Sequence, residues 1–300
     1  MSQTLSIHTN QSASYSYRLA YRLLEQLKST DVDLFKHRKA VVIIDENVQH
    51  YHQDYLDQSI FKTFDHILEL VVPSGERSKN IRLFTEFVQE ILAWGVDRST
   101  PLLAIGGGVT GDLGGYVAAS VLRGIPLFHL PTTTLAMVDS SIGGKTGIND
   151  KSGKNLIGSF YQPKAVLADT YLLETLPERE LLCGVSETIK HAVISNPSLM
   201  DDLKAWLETK NLREAHHWIA KSASVKIDIV QQDTLEKGKR ALLNYGHTFG
   251  HAIEAASGYS ILHGEAVFLG MIAAEYAASL QYENERKSDT EDFFKYYKSY

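Results

Sequence analysis

Short runs of apolar residues alternate with amphipathic stretches through the first half of the chain. The runs are rich in Val, Ile and Leu and lie at residues 40–44, 67–72, 102–105, 127–130 and 165–168. Continuous rather than alternating hydrophobicity is typical of strands that are buried on both faces of a parallel sheet, with helices covering those faces. The pattern predicts an α/β unit with a mostly parallel sheet.

The pattern changes after Pro177. Glycine becomes sparse, and long amphipathic stretches occupy residues 177–195, 212–233, 244–257 and 264–280. Apolar positions that recur every three to four residues predict helices. We therefore expect an α/β domain at residues 1–176 and an all-helical domain at residues 177–300, divided in the turn at 174–178. The tyrosine-rich segment at residues 283–300 is expected to be a loosely docked helix.

Composition and charge narrow the function classes. The 300-residue chain is 44% hydrophobic and 22% charged, with a formal net charge of −6 and a pI near 6.1. This charge disfavours nucleic acid and acidic membranes as partners, so an anionic substrate would need a local basic pocket. The first residues lack a signal-peptide pattern, and no apolar run is long enough to span a bilayer. The single cysteine, Cys183, excludes an internal disulfide and is expected in the core, which favours the cytoplasm.

A glycine-rich run at residues 102–116 passes from a predicted strand into a predicted helix. It contains Gly106-x-Gly108-x-x-Gly111, which fits the dinucleotide fingerprint and would make the first domain Rossmann-like. Glycines allow close approach of phosphate oxygens, and amides at a helix start favour negative charge. Asp45, at the end of an earlier strand, could take a ribose hydroxyl. A tight turn that serves only strand–helix packing is an equally good interpretation of the spacing.

A second glycine motif lies at residues 138–147. It resembles a Walker loop only superficially, because Asp139 stands where the first glycine should be, so ATP hydrolysis is not expected. Lys145, Lys154 and Asn155 nearby are candidate phosphate or hydroxyl contacts. The alternative is that these lysines are ordinary surface residues.

Three histidines could form a metal site. His247 and His251 stand four apart in a helical segment and share one face, while His263 would open a second helix that packs back on the first. A zinc enzyme usually needs a third protein ligand, and Glu187 is the best candidate. The alternatives are partly buried histidines with hydrogen-bond partners and a solvent-facing pair of Glu187 with Lys190. The absence of His-Glu-x-x-His argues against a metalloprotease.

Taken in order, these segments resemble the 3-dehydroquinate synthase family, whose superfamily includes glycerol dehydrogenases. The resemblance covers roughly residues 40–280 and rests on motifs at residues 74–79, 106–112, 123–124, 131–133, 139–147, 153–155, 186–190, 244–251 and 263–265. It implies zinc, or cobalt, bound by Glu187, His247 and His263, which leaves His251 as a neighbour of the metal site rather than a ligand.

The resemblance also implies two further sets of contacts. NAD would be bound by Asp45, Glu76, Lys79, Gly107, Gly108, Val109, Asp112, Thr132, Thr133, Lys145, Lys154, Leu172 and Thr175. A sugar-acid phosphate would lie between the two halves, held by Asp139, Lys145, Asn155, Lys190, Lys226, Arg240, Asn244 and His251. Arg123 would come from the partner subunit of a homodimer.

The implied reaction converts 3-deoxy-D-arabino-heptulosonate 7-phosphate into 3-dehydroquinate and phosphate, in the shikimate pathway. Transient oxidation by NAD, phosphate elimination, reduction and intramolecular aldol closure would follow one another on a single bound substrate. Family members normally continue further, with a late lysine that contacts phosphate, so we expect a chain shortened at its C-terminal end. The alternatives are a polyol dehydrogenase, a related sugar-phosphate cyclase, and an inactive ligand-binding relative.

Overall fold

The computed structural model describes residues 3–8, 14–28, 32–258 and 260–281. The strands β1 to β9 are, in order, Gln3–His8, Ser14–Ala20, Lys39–Asp45, His66–Val72, Leu102–Gly106, Leu127–Pro131, Lys145–Asp150, Gly153–Phe160 and Ala165–Asp169. Seven of them form one sheet in the order β1-β2-β9-β6-β5-β3-β4, while β7 and β8 form a separate antiparallel hairpin. All five strands predicted from the apolar runs are present.

The large sheet is parallel except at one edge, where β1 pairs antiparallel with β2. Residues 40–44 of β3 are fully buried, as expected for a strand covered on both faces. The strands β1 and β2 and the β7–β8 hairpin were not predicted. In β2 and β8 polar residues and exposed positions interrupt the apolar pattern, so neither strand has the continuous apolar run that marks the centre of the sheet.

The helices α1 to α9 are Leu23–Gln26, Glu46–Ser59, Ile81–Trp94, Gly108–Ser120, Glu178–Ile194, Leu199–Thr209, Ala215–Gln232, His247–Ala256 and His263–Gln281. Short 3₁₀ turns lie at Asp33–Lys36, Phe61–Thr63, Glu76–Ser78, Val121–Arg123, Thr170–Leu173 and Lys239–Asn244, and a π-helical turn at Ala136–Ser140. From Glu178 onward the described residues form helices and no strands, which confirms the helical second half. The helix α6 was missed, and the expected helix at 283–300 lies outside the described residues.

The two halves share a core. One apolar cluster joins Tyr17 on β2 and Val166 on β9 to Leu181 on α5 and Trp218 on α7. The expected boundary near residue 176 remains a prediction. Cys183 is buried in α5, as expected. Among the described residues, no helix is long and apolar enough to cross a membrane.

Candidate nucleotide edge and metal centre

The carboxyl ends of the parallel strands β3, β5 and β6 meet at one edge of the sheet. The strand β5 ends at Gly106, and the next residue after β6, Thr132, donates its backbone N–H to the Gly106 carbonyl at 3.0 Å. Ligands of open α/β sheets bind at such an edge. Topology therefore brings the glycine run and the Thr132–Thr133 segment together.

The glycine run forms the predicted strand–loop–helix. The helix α4 begins at Gly108 after Gly107 as its N-cap, so free amides face the edge of the sheet. A side chain on Gly107 would lie 3.0 Å from Thr133 Cγ2, and one on Gly108 would lie 3.2 Å from Ser140 Oγ. Glycine at these two positions keeps the approach to the amides open, and this is the geometry of a diphosphate cradle.

A polar network runs along this edge. Lys79, which is 4% exposed, pairs with Asp112 at 2.5 Å and donates to Asn155 Oδ1. The side chain of Asn149 accepts the backbone N–H of Asn155 at 2.9 Å and donates to Glu76 Oε1 at 2.7 Å. Four residues predicted to bind NAD or substrate are thus connected. Sequence reasoning missed Asn149, which connects them.

Four more of the predicted nucleotide contacts lie at or after the carboxyl ends of β3, β5 and β9. Asp45 accepts the backbone N–H of Asn47 at 2.9 Å and caps α2. Thr175 is exposed and its hydroxyl lies 2.7 Å from His52 Nε2. Leu172 is 2% exposed, so its side chain belongs to the core and only its backbone is available for a ligand. Val109 is the second residue of α4, beside the glycines.

The metal-ligand candidates converge on one point. Glu187 on α5 is fully buried, and Nε2 atoms of His247 and His263 each lie 3.9 Å from its Oε1. Lys190 makes an ion pair with Glu187, yet neither carboxylate oxygen has a hydrogen-bond partner of acceptable geometry. A carboxylate whose oxygens lack hydrogen-bond partners, with two imidazoles close to one of those oxygens, fits a Zn²⁺ or Co²⁺ site. Glu187 is therefore not a solvent-facing residue of a surface pair.

The charge states of Glu187 and His247 also fit a cation. Burial would raise the pKa of the Glu187 carboxyl, but the Lys190 ammonium outweighs burial and holds the pKa below its usual range. Burial and Lys190 lower the pKa of His247 to about 4, so this imidazole is neutral at pH 7. An ionised carboxylate and a neutral imidazole are the forms that bind a metal ion.

Two glycines explain how the helices bring these ligands together. Gly246 has φ +79°, in the left-handed region, and is the N-cap from which α8 starts at His247. A Cβ on Gly264 would lie 2.4 Å from the Cα of Cys183, so α9 packs closely against α5 only because this residue is glycine. That contact sets His263, the first residue of α9, near Glu187.

A second carboxylate, which sequence reasoning missed, supports the metal centre. Glu254 Oε2 lies 3.4 Å from His263 Nδ1, and its Oε1 lies 3.2 Å from Lys154 Nζ. Metal-binding histidines usually donate a hydrogen bond from their other ring nitrogen to such a group. His251 is exposed and lies near Glu254 and His263, so it borders the centre.

Three predicted substrate residues lie between the edge of the sheet and the metal centre. Lys226 on α7 donates to Asp139 Oδ1 at 2.6 Å and to its carbonyl at 2.7 Å, and Lys190 is 1% exposed beside Glu187. Burial alone would raise the pKa of the Asp139 carboxyl, but Lys226 and Lys190 hold it below its usual range. Basic and acidic side chains thus lie together between the edge of the sheet and the metal centre.

A second group of predicted substrate residues lies where the β7–β8 hairpin approaches the helical half. Glu236 pairs with Lys145 and accepts from Asn244 Nδ2 at 3.2 Å. Arg240 is 2% exposed and donates to the carbonyls of Gly143 at 3.4 Å and Thr234 at 2.8 Å. Glu236 was not predicted.

Two predicted residues lie apart from these groups. Lys145 pairs with Phe160 in the hairpin, and Asn155 lies five residues before Phe160 on β8. At the spacing of a strand, Asn155 is therefore roughly 17 Å from the Lys145–Phe160 pair. It belongs to the nucleotide network. Arg123 is exposed and follows α4 at the opposite edge of the sheet from the glycines, about 20 Å away along the 13-residue helix. Its role as a contact from a partner subunit remains a prediction.

Family models match most of the chain. Residues 69–183 match the model described as 3-dehydroquinate synthase N-terminal, and residues 184–300 match 3-dehydroquinate synthase C-terminal. Curated 3-dehydroquinate synthases include one from Salinibacter ruber, 45% identical over 79% of this chain and 66% of its own length. Another, from Crocosphaera subtropica, is 42% identical over 91% of this chain and 76% of its own length.

Solved structures give the same relationship. A 2-deoxy-scyllo-inosose synthase complexed with carbaglucose-6-phosphate, NAD+ and Co2+ has a TM-score of 0.82 at 31% identity, over 93% of this chain and 78% of that one. The 2-epi-5-epi-valiolone synthase of Streptomyces hygroscopicus, with NAD+ and Zn2+ bound, has a TM-score of 0.78 at 28% identity, over 89% of this chain and 75% of that one. A glycerol dehydrogenase from Schizosaccharomyces pombe shares the fold, with a TM-score of 0.66 at 18% identity, over 93% of this chain and 74% of that one. These matches confirm the resemblance: this chain belongs to the 3-dehydroquinate synthase family.

Proposed function

We propose that this protein converts 3-deoxy-D-arabino-heptulosonate 7-phosphate into 3-dehydroquinate and phosphate. The observation that supports this best is the metal centre: a buried carboxylate without a hydrogen-bond partner and two imidazoles, 3.9 Å from one of its oxygens, face a cleft lined by ammonium groups. The two curated 3-dehydroquinate synthases named above are 45% and 42% identical to the chain, so the family and the geometry support the same reaction.

The site fits both cofactors of the reaction. Glu187, His247 and His263 would hold Zn²⁺ or Co²⁺, and the amides after Gly107 with the Lys79–Asp112 network would hold NAD. When bound, these groups supply a Lewis acid at a hydroxyl and a reversible hydride acceptor. The solved cyclases named above contain the same pair, NAD+ with Co2+ or Zn2+.

The chain's own residues would then orient the substrate and stabilise its charges. The ionised Asp139 carboxylate, fixed by Lys226, can accept hydrogen bonds from substrate hydroxyls. Lys145 and Asn244 are exposed at the mouth of the cleft, where an ammonium and an amide can bind a phosphate that leaves. Arg240 is buried against backbone carbonyls and would fix the wall of this pocket. Elimination and ring closure then occur on one substrate held in place.

The phosphate-binding candidates Lys145 and Asn244 favour a phosphate-eliminating cyclase over a polyol dehydrogenase. A dehydrogenase oxidises an uncharged polyol and needs neither residue to bind a phosphate. The glycerol dehydrogenase with the same fold is 18% identical to this chain, which supports the architecture alone. The proposal includes a homodimer, because the family resemblance assigns the exposed Arg123 to the site of another copy. It also includes a cytoplasmic location, consistent with the unpaired Cys183.

The test is phosphate release from the heptulosonate phosphate by purified protein with NAD and zinc, followed together with absorbance of NADH. We expect phosphate release that stops when the metal is chelated and returns when it is restored, without lasting NADH. A Glu187→Gln variant should behave like the chelated enzyme. Accumulation of NADH with a polyol, or phosphate release that survives both chelation and Glu187→Gln, would contradict the proposal.

A further inference from the structure

His191 is a buried histidine in the cleft with one unpaired ring nitrogen. It lies on α5, is fully buried, and its Nε2 has no hydrogen-bond partner among the described residues. One of its ring nitrogens lies within 4.8 Å of carboxylate oxygens of Asp139 and Glu187. Nδ1 is occupied by Ser222, 2.8 Å away. A buried polar atom without a partner costs free energy, so it calls for an explanation.

The hydrogen-bond chain behind the ring determines which nitrogen holds the proton. Thr188 donates its only hydroxyl proton to the Gly184 carbonyl at 2.9 Å. In the 3.0 Å contact between Thr188 and Ser222, Ser222 must then be the donor. Ser222 has no second proton, so it accepts from His191, and the proton of the imidazole is on Nδ1. The Nε2 of a neutral ring therefore presents a lone pair.

The neutral form of the ring is consistent with its surroundings. Burial, together with the Lys190 ammonium, lowers the pKa of His191 to about 3. The nearby ammonium groups of Lys190 and Lys226 pair with the carboxylates of Glu187 and Asp139, and neither of them donates to Nε2. The partner that remains is a neutral donor that arrives with the ligand.

We propose that His191 Nε2 accepts a hydrogen bond from a hydroxyl group of the substrate and thereby orients the substrate beside Asp139 and the metal centre. The inference rests on the proposed function and adds a specificity-determining contact to it. The substrate class that it selects is a polyhydroxylated one, because an analogue that lacks this hydroxyl would leave Nε2 without a partner.

Two substitutions separate the two ring nitrogens. In His191→Asn the amide nitrogen can replace Nδ1 and still donate to Ser222, while nothing occupies the position of Nε2. In His191→Gln the amide oxygen can reach the position of Nε2. We expect kcat/KM for phosphate release to fall roughly 10- to 100-fold in His191→Asn and to recover substantially in His191→Gln. Zinc content and NAD affinity should match the unmodified protein in both.

Deoxy analogues of the substrate provide the readout that a purely structural role would not change. For the one analogue that lacks the recognised hydroxyl, His191→Asn should cause less than a twofold further loss. Equal losses with every analogue, an unchanged kcat/KM in His191→Asn, or zinc content that falls with activity would overturn the inference. An unmodified protein that releases no phosphate would remove the proposed function and this contact with it.

If His191→Asn does not fold, Ser222→Ala provides the test, because it removes the acceptor that fixes the tautomer. We expect a roughly 3- to 10-fold lower kcat/KM with full zinc content. An unchanged kcat/KM in this variant would overturn the inference.

Discussion

Replacing Glu254 by glutamine should weaken metal binding without removing a metal ligand. Glu254 is 4% exposed and holds His263 Nδ1 at 3.4 Å through one oxygen and Lys154 at 3.2 Å through the other. Glutamine keeps the size of the side chain but removes the negative charge that makes His263 a better ligand and fixes its ring. The position of His263 relative to Glu187, 3.9 Å away, would then be less well defined.

The magnitude follows from the geometry. Loss of a carboxylate that supports a metal-binding histidine typically costs 10- to 100-fold in affinity, or about 1.4 to 2.7 kcal/mol. The 3.4 Å contact is long and the His263 side chain is 33% exposed, so the effect should lie near the lower end. We expect a roughly 10- to 30-fold higher Kd for zinc.

The assay is competition for zinc between the protein and a chromophoric chelator at fixed pH, without NAD. Asp202→Asn is the matched control, because Asp202 pairs with Lys221 at 2.6 Å on the α6–α7 surface, outside the metal centre. Its Kd should equal that of the unmodified protein. A Kd for Glu254→Gln within twofold of the control would refute the supporting role of Glu254.

Three further predictions concern stability. Asp139→Ala leaves the buried Lys226 ammonium without its carboxylate, hydrogen-bonded only to the backbone carbonyl of residue 139, and should cost about 2–4 kcal/mol in urea unfolding. Most of this loss should be restored by Lys226→Met in the double variant. Gly264→Ala forces α9 away from α5 and should lower the free energy of unfolding by about 1–3 kcal/mol. The control Gly111→Ala, whose new Cβ would make ordinary 3.6 Å contacts, should cost nothing. Equal Tm values for the two variants would contradict this prediction. Burial lowers the pKa of His129 from 6.5 to about 4, so protonation favours the unfolded chain and the free energy of unfolding should fall as pH drops from about 6.5 towards 4. The variant His129→Gln should lose up to about 3 kcal/mol less over this range. Parallel pH profiles of stability for the variant and the unmodified protein would argue against this prediction.

The elements that could be predicted from the sequence are those whose local pattern matches their burial. The strands β3, β5 and β9 carry continuous apolar runs buried on both faces, and α5, α7 and α8 repeat their apolar positions with helical spacing. The β7–β8 hairpin lacks such a signal, because β8 has no buried residue. No strand was therefore predicted at its glycines and lysines.

The three metal-ligand candidates were predicted, but the residues that support them were not. Sequence spacing shows which side chains share a helix face, and the need for a third protein ligand pointed to Glu187. The family resemblance then implied His247 and His263, rather than His251, as the two histidine ligands. Glu254 was missed because it lies on α8 and meets His263 only where α9 packs back on that helix, and Asn149 because its partner Glu76 is 73 residues away. Such pairs depend on how the elements pack, which one sequence does not specify.

The unpredicted hairpin is what connects the two halves of the site. Lys145 at its start pairs with Glu236, and Lys154 near its turn pairs with Glu254, so both ends contact the helical half. Asn155, which follows Lys154 directly, accepts from Lys79 in the nucleotide network. Because Glu254 also holds His263, only a few side chains separate the nucleotide edge from the metal centre. A reaction that uses NAD and a metal on the same substrate needs such a fixed relation between the two, and this hairpin provides it.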